Sequence, residues 1–216
     1  MKAGRPGWFP DWSGEVCAIV ASGPSVKVGQ VEKLRGRCRV IVINNNYQIA
    51  PWADVLYACD AKWWNWHKGV PEFTGMKITQ DVCAAALYGL NLVRLLESDD
   101  PQANCIVVDR PGVIGRGGNS GFQAVNLAVQ FGARKYLLVG FDCYGERWHG
   151  AHPNGRPSQK SSTLDEWRKN FDAQAVLFAK LGVEVANVSD ISALTAYQKM
   201  SIEAALHHFG IMNAAG

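Results

Sequence analysis

Several polar stretches of this 216-residue chain directly follow apolar runs, and their residue types suit contacts with a polar ligand. Glycine lets the backbone approach a phosphate or a sugar closely, asparagine offers both a donor and an acceptor, and aspartate grips hydroxyl groups or a metal ion. A nucleotide needs all three kinds of contact. The candidate ligand-binding residues are Ser22, Gly23, Pro24, Ser25, Asn45, Asn46, Asp60, Asn119, Ser120, Gly121, Asp142 and Tyr144.

Two histidines in the stretch RWHGAHP come shortly after the last of these residues. His149 and His152 are the candidate catalytic bases, because a histidine side chain accepts a proton near neutral pH. The alternative is that both are exposed loop residues without a chemical role. Their HxxH spacing also suits a metal ion, but no third or fourth ligand is evident, so no metal site is predicted from them.

The apolar runs before the polar stretches are predicted to be strands of a parallel sheet. They are rich in Val and Ile and do not alternate with polar residues, which is typical of strands covered on both faces. The predicted strands span residues 16–21, 38–44, 55–60, 104–109, 135–142 and 183–188, and the predicted helices span 28–36, 78–98, 119–133 and 161–182.

This alternation of strands and helices predicts a single α/β domain with a Rossmann-like, doubly wound, mainly parallel sheet and helices on both faces. Ligands of such sheets bind at the carboxyl ends of the strands, where the strand order reverses, and the candidate residues follow the strands there. We expect an N-terminal extension over 1–14, the nucleotide-binding domain over 15–200, and a C-terminal helix and tail over 201–216.

Composition and charge exclude several classes of partner. A dispersed net charge of +3 argues against a nucleic-acid partner, and the absence of a long apolar run or a signal peptide predicts a cytoplasmic protein without a membrane span. The six single cysteines are expected to be buried free thiols. The GxGxxG, GxxxxGK[ST] and GxSxG motifs do not occur. The sequence leaves open whether the chain forms a homo-oligomer.

Taken in order, four stretches resemble bacterial sialyltransferases that act on lipooligosaccharides. They are SGPS, the Asn-rich turn NNNY, NSGFQAVNLAVQFGARKYLLVGFDCY and NVSDISALT, and 118–144 is the most specific part. The chain is also similar to the related archaeal 6-hydroxymethyl-dihydropterin pyrophosphokinases and to phage or prophage proteins of the same type.

The resemblance implies an enzyme, a glycosyltransferase that binds a nucleotide-activated sugar, above all a CMP-sugar, and transfers the sugar to a small or glycan acceptor without a cofactor. It places Gly23, Pro24, Ser25 and Ser120 at the donor, and Tyr144 at the phosphate of the leaving group. In the lipooligosaccharide enzymes the catalytic histidine corresponds to a position near Lys160, so the base stays open between His149 and His152.

Two alternatives remain. Asp60 stands where the sialyltransferases have Asn and fits the pyrophosphokinase branch, in which Asp60 and Asp142 would hold Mg²⁺ for diphosphate transfer from ATP. The other alternative is a non-catalytic nucleotide-binding or sugar-binding phage protein. Beside Asp60, the tryptophans Trp63, Trp64 and Trp66 form either a stacking wall for a ligand or a cover over the core.

Overall fold

The structure, a computed structural model, describes residues 4–150 and 159–212. The strands are β1 (Val16–Val20), β2 (Arg39–Ile43), β3 (Val55–Tyr57), β4 (Met76–Thr79), β5 (Asn91–Leu92), β6 (Arg94–Leu95), β7 (Val113–Ile114), β8 (Lys135–Val139), β9 (Glu184–Asn187) and β10 (Gln198–Lys199). The helices are α1 (Val28–Glu32), α2 (Ala61–Trp66), α3 (Val82–Tyr88), α4 (Ser120–Phe131), α5 (Ser161–Asp172), α6 (Ala175–Lys180) and α7 (Ile202–His208), and a 3-10 helix covers Asn44–Gln48.

Eight of the strands form one parallel sheet in the order β10-β9-β8-β1-β2-β3-β4-β5, and β6 pairs with β7 separately. The chain leaves β1 toward β2 on one side and returns to pair β8 on the other side, so the strand order reverses between β1 and β8. This is the predicted doubly wound α/β fold.

The strands are buried on both faces because their side chains alternate between two apolar layers. Val16, Ala18 and Val20 of β1 pack in the layer that contains apolar residues of α1, α2, α3 and α7. Cys17 and Ile19 pack in the opposite layer, with apolar residues of α4, α5 and α6. Helices therefore cover both faces of the sheet, as predicted from the unbroken apolar runs.

The predicted strand over 104–109 is wrong. Its backbone is held by side-chain amides: the Val107 N–H donates to Asn126 Oδ1 (2.9 Å), and Asn126 Nδ2 donates to the Val107 carbonyl (2.8 Å). The Ile106 N–H likewise donates to Gln174 Oε1 (3.0 Å). Ile106 and Val107 are buried, which explains the apolar run, but their polar backbone groups need no sheet ladder.

The predicted helix over 78–98 is also wrong in extent. It contains the end of β4, the short helix α3, β5 and β6. Asp81 begins α3 by accepting a hydrogen bond from the Ala84 N–H (2.9 Å), and Gly89 ends it at a φ of 64°. The predicted helix over 161–182 is divided into α5 and α6 at Ala173 and Gln174, and the Gln174 side chain binds the backbone of Asn104 and Ile106 there.

Other expectations have mixed outcomes. All six cysteines are free, but only Cys17 is fully buried, and Cys83 and Cys105 are exposed. In the part of the chain that the structure describes, no helix is long and apolar enough to cross a membrane. Before β1, Phe9 and Trp12 pack edge-on against Phe131 of α4.

Candidate functional site

A crevice of about 470 Å³ lies at the carboxyl ends of β1, β2, β3 and β8, where the strand order reverses. We call it the switch-point crevice. Its lining comprises residues 21–23, 43–44, 59–60, 63 and 66 after the first three strands, 118–121 at the start of α4, 140–147 after β8, and 159, 163, 164 and 167 at α5.

The predicted ligand-binding residues divide into two groups. Those that line the crevice are Ser22, Gly23, Asp60, Asn119, Ser120, Gly121, Asp142 and Tyr144. Pro24, Ser25, Asn45, Asn46 and His149 lie outside this lining. The second candidate base, His152, falls outside the described residues.

The Asp142 side chain accepts hydrogen bonds from the loop after β1, which we call the first loop. The Ser25 N–H donates to its Oδ2 atom (2.8 Å), and Ser25 Oγ donates to its Oδ1 atom (2.7 Å). A side chain on Gly23 would place its Cβ 2.2 Å from Asp142 Oδ2, so only glycine fits at this position. Burial raises the pKa of Asp142, and the hydrogen bonds from Ser25 oppose that rise. Both carboxylate oxygens thus connect two loops of the protein.

The stretch NVSDIS, which begins at the end of β9, holds the backbone of Phe141 and Asp142 in place together with Ala193. Ser189 Oγ accepts a hydrogen bond from the Phe141 N–H (3.0 Å), and Ser192 Oγ donates to the Phe141 carbonyl (2.6 Å). The Ala193 N–H donates to the Asp142 carbonyl (2.7 Å). This part of the resemblance therefore has a structural role here, since it fixes the backbone at the end of β8.

The Asn-rich turn is also bound largely to the protein itself. Asn46 is fully buried and donates from Nδ2 to the Val20 carbonyl (2.8 Å) and to Ser22 Oγ (3.3 Å). Asn45 Oδ1 accepts from Trp63 Nε1 (2.7 Å). Asn44, which the sequence reasoning did not select, lines the crevice and has a φ of 52°. The amides that were expected to contact the ligand hold the turn that presents Asn44.

The start of α4 points into the crevice. Asn119 caps the helix by accepting a hydrogen bond from the Phe122 N–H (3.0 Å), and Ser120 Oγ donates to Cys59 Sγ (3.2 Å). The turn before the cap needs glycine, because Gly118 has a φ of 83° and a Cβ there would lie 2.7 Å from the Trp167 indole. A helix start of this kind attracts anions through its unpaired N–H groups and its dipole.

The segment after β8 bends back over the crevice. Cys143 has a φ of 49°, and Tyr144 is 63% exposed at the mouth. Further along, the Trp148 N–H donates to the Ser22 carbonyl (3.2 Å), and Trp148 packs edge-on against His149. Burial, and then the charge of Arg147, lower the pKa of His149. A histidine with a lowered pKa is neutral at pH 7 and is able to accept a proton.

Sequence reasoning missed one side of the crevice entirely. Thr163, Leu164 and Trp167 line it from the first turns of α5. Their spacing places them on one face of the helix, which is the signal that could have identified them. Arg147 was also missed, although it adds a cation to the crevice lining.

Metal binding and aromatic stacking have different support in the structure. The described residues contain no group of three or more His, Cys, Asp and Glu side chains that could hold a metal ion. Trp64 is fully buried, and Trp63 is 3% exposed although it lines the crevice. Trp66 is 44% exposed at the same lining. The tryptophan stretch therefore both covers the core and presents an aromatic surface to the crevice.

No protein-family model matches the chain, and a search of curated proteins finds no relative. Solved structures do match. The MAf glycosyltransferase from Magnetospirillum magneticum AMB-1 superposes with a TM-score of 0.64 at 14% identity, over 94% of this chain and 37% of that one. The chain therefore spans little more than a third of that protein.

Two structures of a sialyltransferase also match. The sialyltransferase CST-II in complex with a trisaccharide acceptor and CMP superposes with a TM-score of 0.51 at 11% identity, over 94% of this chain and 89% of that one. CstII from Campylobacter jejuni with CMP-3FNeuAc gives a TM-score of 0.48 at 12% identity, over 87% of this chain and 86% of that one. A phage origin stays a prediction. The chain has a glycosyltransferase-like α/β fold.

Proposed function

We propose that the chain is a glycosyltransferase that binds a nucleotide-activated sugar in the switch-point crevice and transfers the sugar to an acceptor hydroxyl. A CMP-sugar is the first candidate donor, because CST-II, which shares the fold, was solved with CMP. The observation that carries the proposal is the crevice itself. Its volume of about 470 Å³ lies at the strand reversal, and an anion-attracting helix start and aromatic side chains both line it.

The start of α4 is the natural place for the phosphate of the donor. Ser120 and Gly121 line the crevice within the first turn of this 12-residue helix, where backbone N–H groups have no partner inside the helix. Arg147 lines the same crevice and supplies a positive charge. Together they would stabilise the negative charge that develops on the leaving phosphate.

Aromatic side chains give the nucleoside or the sugar a surface to stack on. Trp63 and Trp66 of α2 line one side of the crevice, and Trp167 of α5 lines another. Stacking of a base on an aromatic side chain contributes roughly 1–3 kcal/mol and depends little on the identity of the base. This wall accounts for nucleoside binding without choosing among bases.

His149 is the base that we assign to the acceptor hydroxyl. It belongs to the segment that covers the crevice, and its lowered pKa leaves it neutral at pH 7. Asp60, which lines the crevice, is the second possible proton acceptor. We expect His149→Gln to lower kcat by about 100-fold or more with little effect on donor binding, since general base catalysis contributes on the order of 10²–10⁴ in rate. An unchanged kcat would mean that another group is the general base.

Diphosphate transfer is supported less well by the geometry. It would use Asp60 and Asp142 as ligands of Mg²⁺, but both oxygens of Asp142 accept hydrogen bonds from Ser25. Asp60 and Glu146 would then remain as carboxylates of the lining, and the described residues contain no group of three or more His, Cys, Asp and Glu side chains that could hold a metal ion. We therefore propose a reaction without a metal cofactor.

The deciding experiment is a calorimetric and thermal-shift screen of the purified chain against CMP, CDP, UDP, ADP and ATP, each with and without Mg²⁺. A ligand at a hundred times its Kd adds about 2.7 kcal/mol to the free energy of unfolding. We expect CMP to bind without Mg²⁺, and turnover of CMP-sugars then distinguishes an enzyme from a binding module. ATP binding that requires Mg²⁺ would instead support diphosphate transfer.

Two serine variants control this screen. Ser120→Ala removes a hydroxyl from the crevice lining, whereas Ser161→Ala removes one from the exposed start of α5. We expect weaker CMP binding for the first variant only. Equal losses of CMP affinity in both variants would mean that the weaker binding does not originate at the start of α4.

A further inference from the structure

The segment after β8, residues 143–150, is attached to the rest of the fold near its far end through Trp148. Trp148 Nε1 donates to Asn46 Oδ1 at 2.6 Å, and the backbone N–H of the same residue donates to the Ser22 carbonyl at 3.2 Å. Trp148 also packs against the buried apolar layer of α1 and α2. The two hydrogen bonds connect this segment to the loops after β1 and β2, which are distant in sequence.

The acceptor of the indole N–H is itself immobile. Asn46 is fully buried, and its Nδ2 group donates to the Val20 carbonyl and to Ser22 Oγ. Both N–H donors of this amide are therefore directed at the end of β1 and the loop after it, and its Oδ1 atom accepts from Trp148. A buried amide with satisfied donors and acceptors is a rigid point of attachment.

The near end of the segment is fixed independently. Asp142 is held by Ser25 and by the backbone of Ala193, and Gly145 lies against Pro24, since a Cβ on that glycine would be 3.3 Å from the proline ring. Between the two fixed ends lie the segment's residues that line the crevice, among them Tyr144 and Arg147. The attachment at Trp148 is therefore one of the contacts that set their position over the crevice.

We infer that Trp148 is a positioning residue for donor binding: through Asn46 it holds Tyr144 and Arg147 over the start of α4, where the phosphate of the donor would lie. This inference rests on the proposed function. Trp148 itself does not line the crevice, so its effect on the ligand is exerted through the segment.

The test compares Trp148→Phe with Trp52→Phe. Phenylalanine keeps an aromatic ring against the apolar layer and removes the indole N–H together with part of the indole ring, and the same change at Trp52 controls for the smaller ring. Trp52 is a matched control, because its Nε1 atom also donates to a side chain, Glu32 Oε2 at 3.1 Å, but at an exposed site outside the crevice. We expect Trp148→Phe to raise the Kd for CMP by about three- to tenfold, as the loss of one hydrogen bond implies, and Trp52→Phe to leave it unchanged.

Two readouts separate positioning from simple packing. Amide hydrogen exchange at residues 144–147 should be faster in Trp148→Phe than in the wild-type or the Trp52→Phe chain, while the thermal midpoints of both variants stay similar. Wild-type CMP binding combined with equal Kd values and equal exchange rates would overturn the inference alone. A wild-type chain that binds no nucleotide would overturn the proposed function and, with it, the inference.

Discussion

Two walls of the switch-point crevice are held in place by different forces. In the hydrogen-bonded wall, Gly23, Ser25 and Asp142 meet through two bonds shorter than 3 Å and through a contact that leaves no room for a Cβ. In the aromatic wall, here Trp63 of the lining and the rings packed on it, the Trp63 ring lies on the His67 ring with centroids 4.4 Å apart, and Tyr47 packs edge-on against both. The first wall is held by hydrogen bonds and a contact without room for a Cβ, whereas the second combines broad ring contacts with hydrogen bonds such as that from Trp63 Nε1 to Asn45 Oδ1. We therefore expect the first wall to tolerate far less change.

The largest effect should come from Gly23→Ala. A methyl group there would overlap Asp142 Oδ2 and the Gly140 carbonyl, so two backbone segments must separate. We expect a loss of about 3 kcal/mol in the free energy of unfolding, measured by urea denaturation. Gly29→Ala is the matched control in α1, because its Cβ meets nothing within 4 Å. Replacing a helical glycine there should stabilise the chain by about 0.5–1 kcal/mol. Similar values for the two variants would contradict the tight contact.

Ser25→Ala should have the next largest effect. It removes the hydroxyl that donates to the buried Asp142 carboxylate, and a hydrogen bond to a charged group contributes about 2 kcal/mol. Ser13→Ala removes a bond of the same length, from Ser13 Oγ to Asp11 Oδ1, at an exposed site. Denaturation midpoints should fall clearly for the first variant and stay within error for the second. A similar fall in both would show that burial does not strengthen the bond.

Trp63→Phe should cost less, about 1–2 kcal/mol, because phenylalanine keeps most of the ring contacts of this buried residue while it loses the hydrogen bond to Asn45 Oδ1 and part of the indole ring. Nucleotide binding by the variant should stay close to that of the wild type. A fall in stability as large as that of Gly23→Ala would mean that this wall, too, depends on individually fixed atoms.

The smallest effect should be a pH dependence at Asp142. Because burial raises the pKa of this carboxyl, the folded chain retains a proton that the unfolded chain has already released. The free energy of unfolding should therefore decrease as pH rises from the ordinary carboxyl pKa of 3.8 to the raised pKa of Asp142. Asp142→Asn should lack this component, so the free energy of unfolding of the wild type minus that of the variant should decrease as pH rises above 3.8. An increase would mean that the hydrogen bonds from Ser25 outweigh burial.

Sequence reasoning identified the fold and the crevice because both depend on local patterns. The unbroken apolar runs of β1, β2 and β8 predicted buried strands, and small polar residues at their ends predicted the location of the crevice. It failed for residues 104–109, where the backbone is satisfied by Asn126 and Gln174, because periodicity contains no information about such distant side-chain partners.

The same limitation affected the residues of the site. Ser25, Asn45 and Asn46 are residue types that suit ligand contacts, yet in the structure they form hydrogen bonds with the protein itself. Whether an amide faces a ligand or a neighbouring loop is decided by tertiary packing, and both uses need the same donors and acceptors. Trp167 was missed for the converse reason: an aromatic residue in an amphipathic helix is indistinguishable from a core residue until the helix is docked.

The central place of β1 in the sheet has a consequence for how the chain folds. One edge of β1 pairs with β2, which is close in sequence, whereas the other edge pairs with β8, so that Val16 lies opposite Lys135. During synthesis, a strand of five buried residues therefore has an unsatisfied edge until most of the chain has emerged. Such distant parallel pairing slows folding and exposes an apolar edge to other chains, so the yield of native protein should be sensitive to the rate of translation and to chaperones.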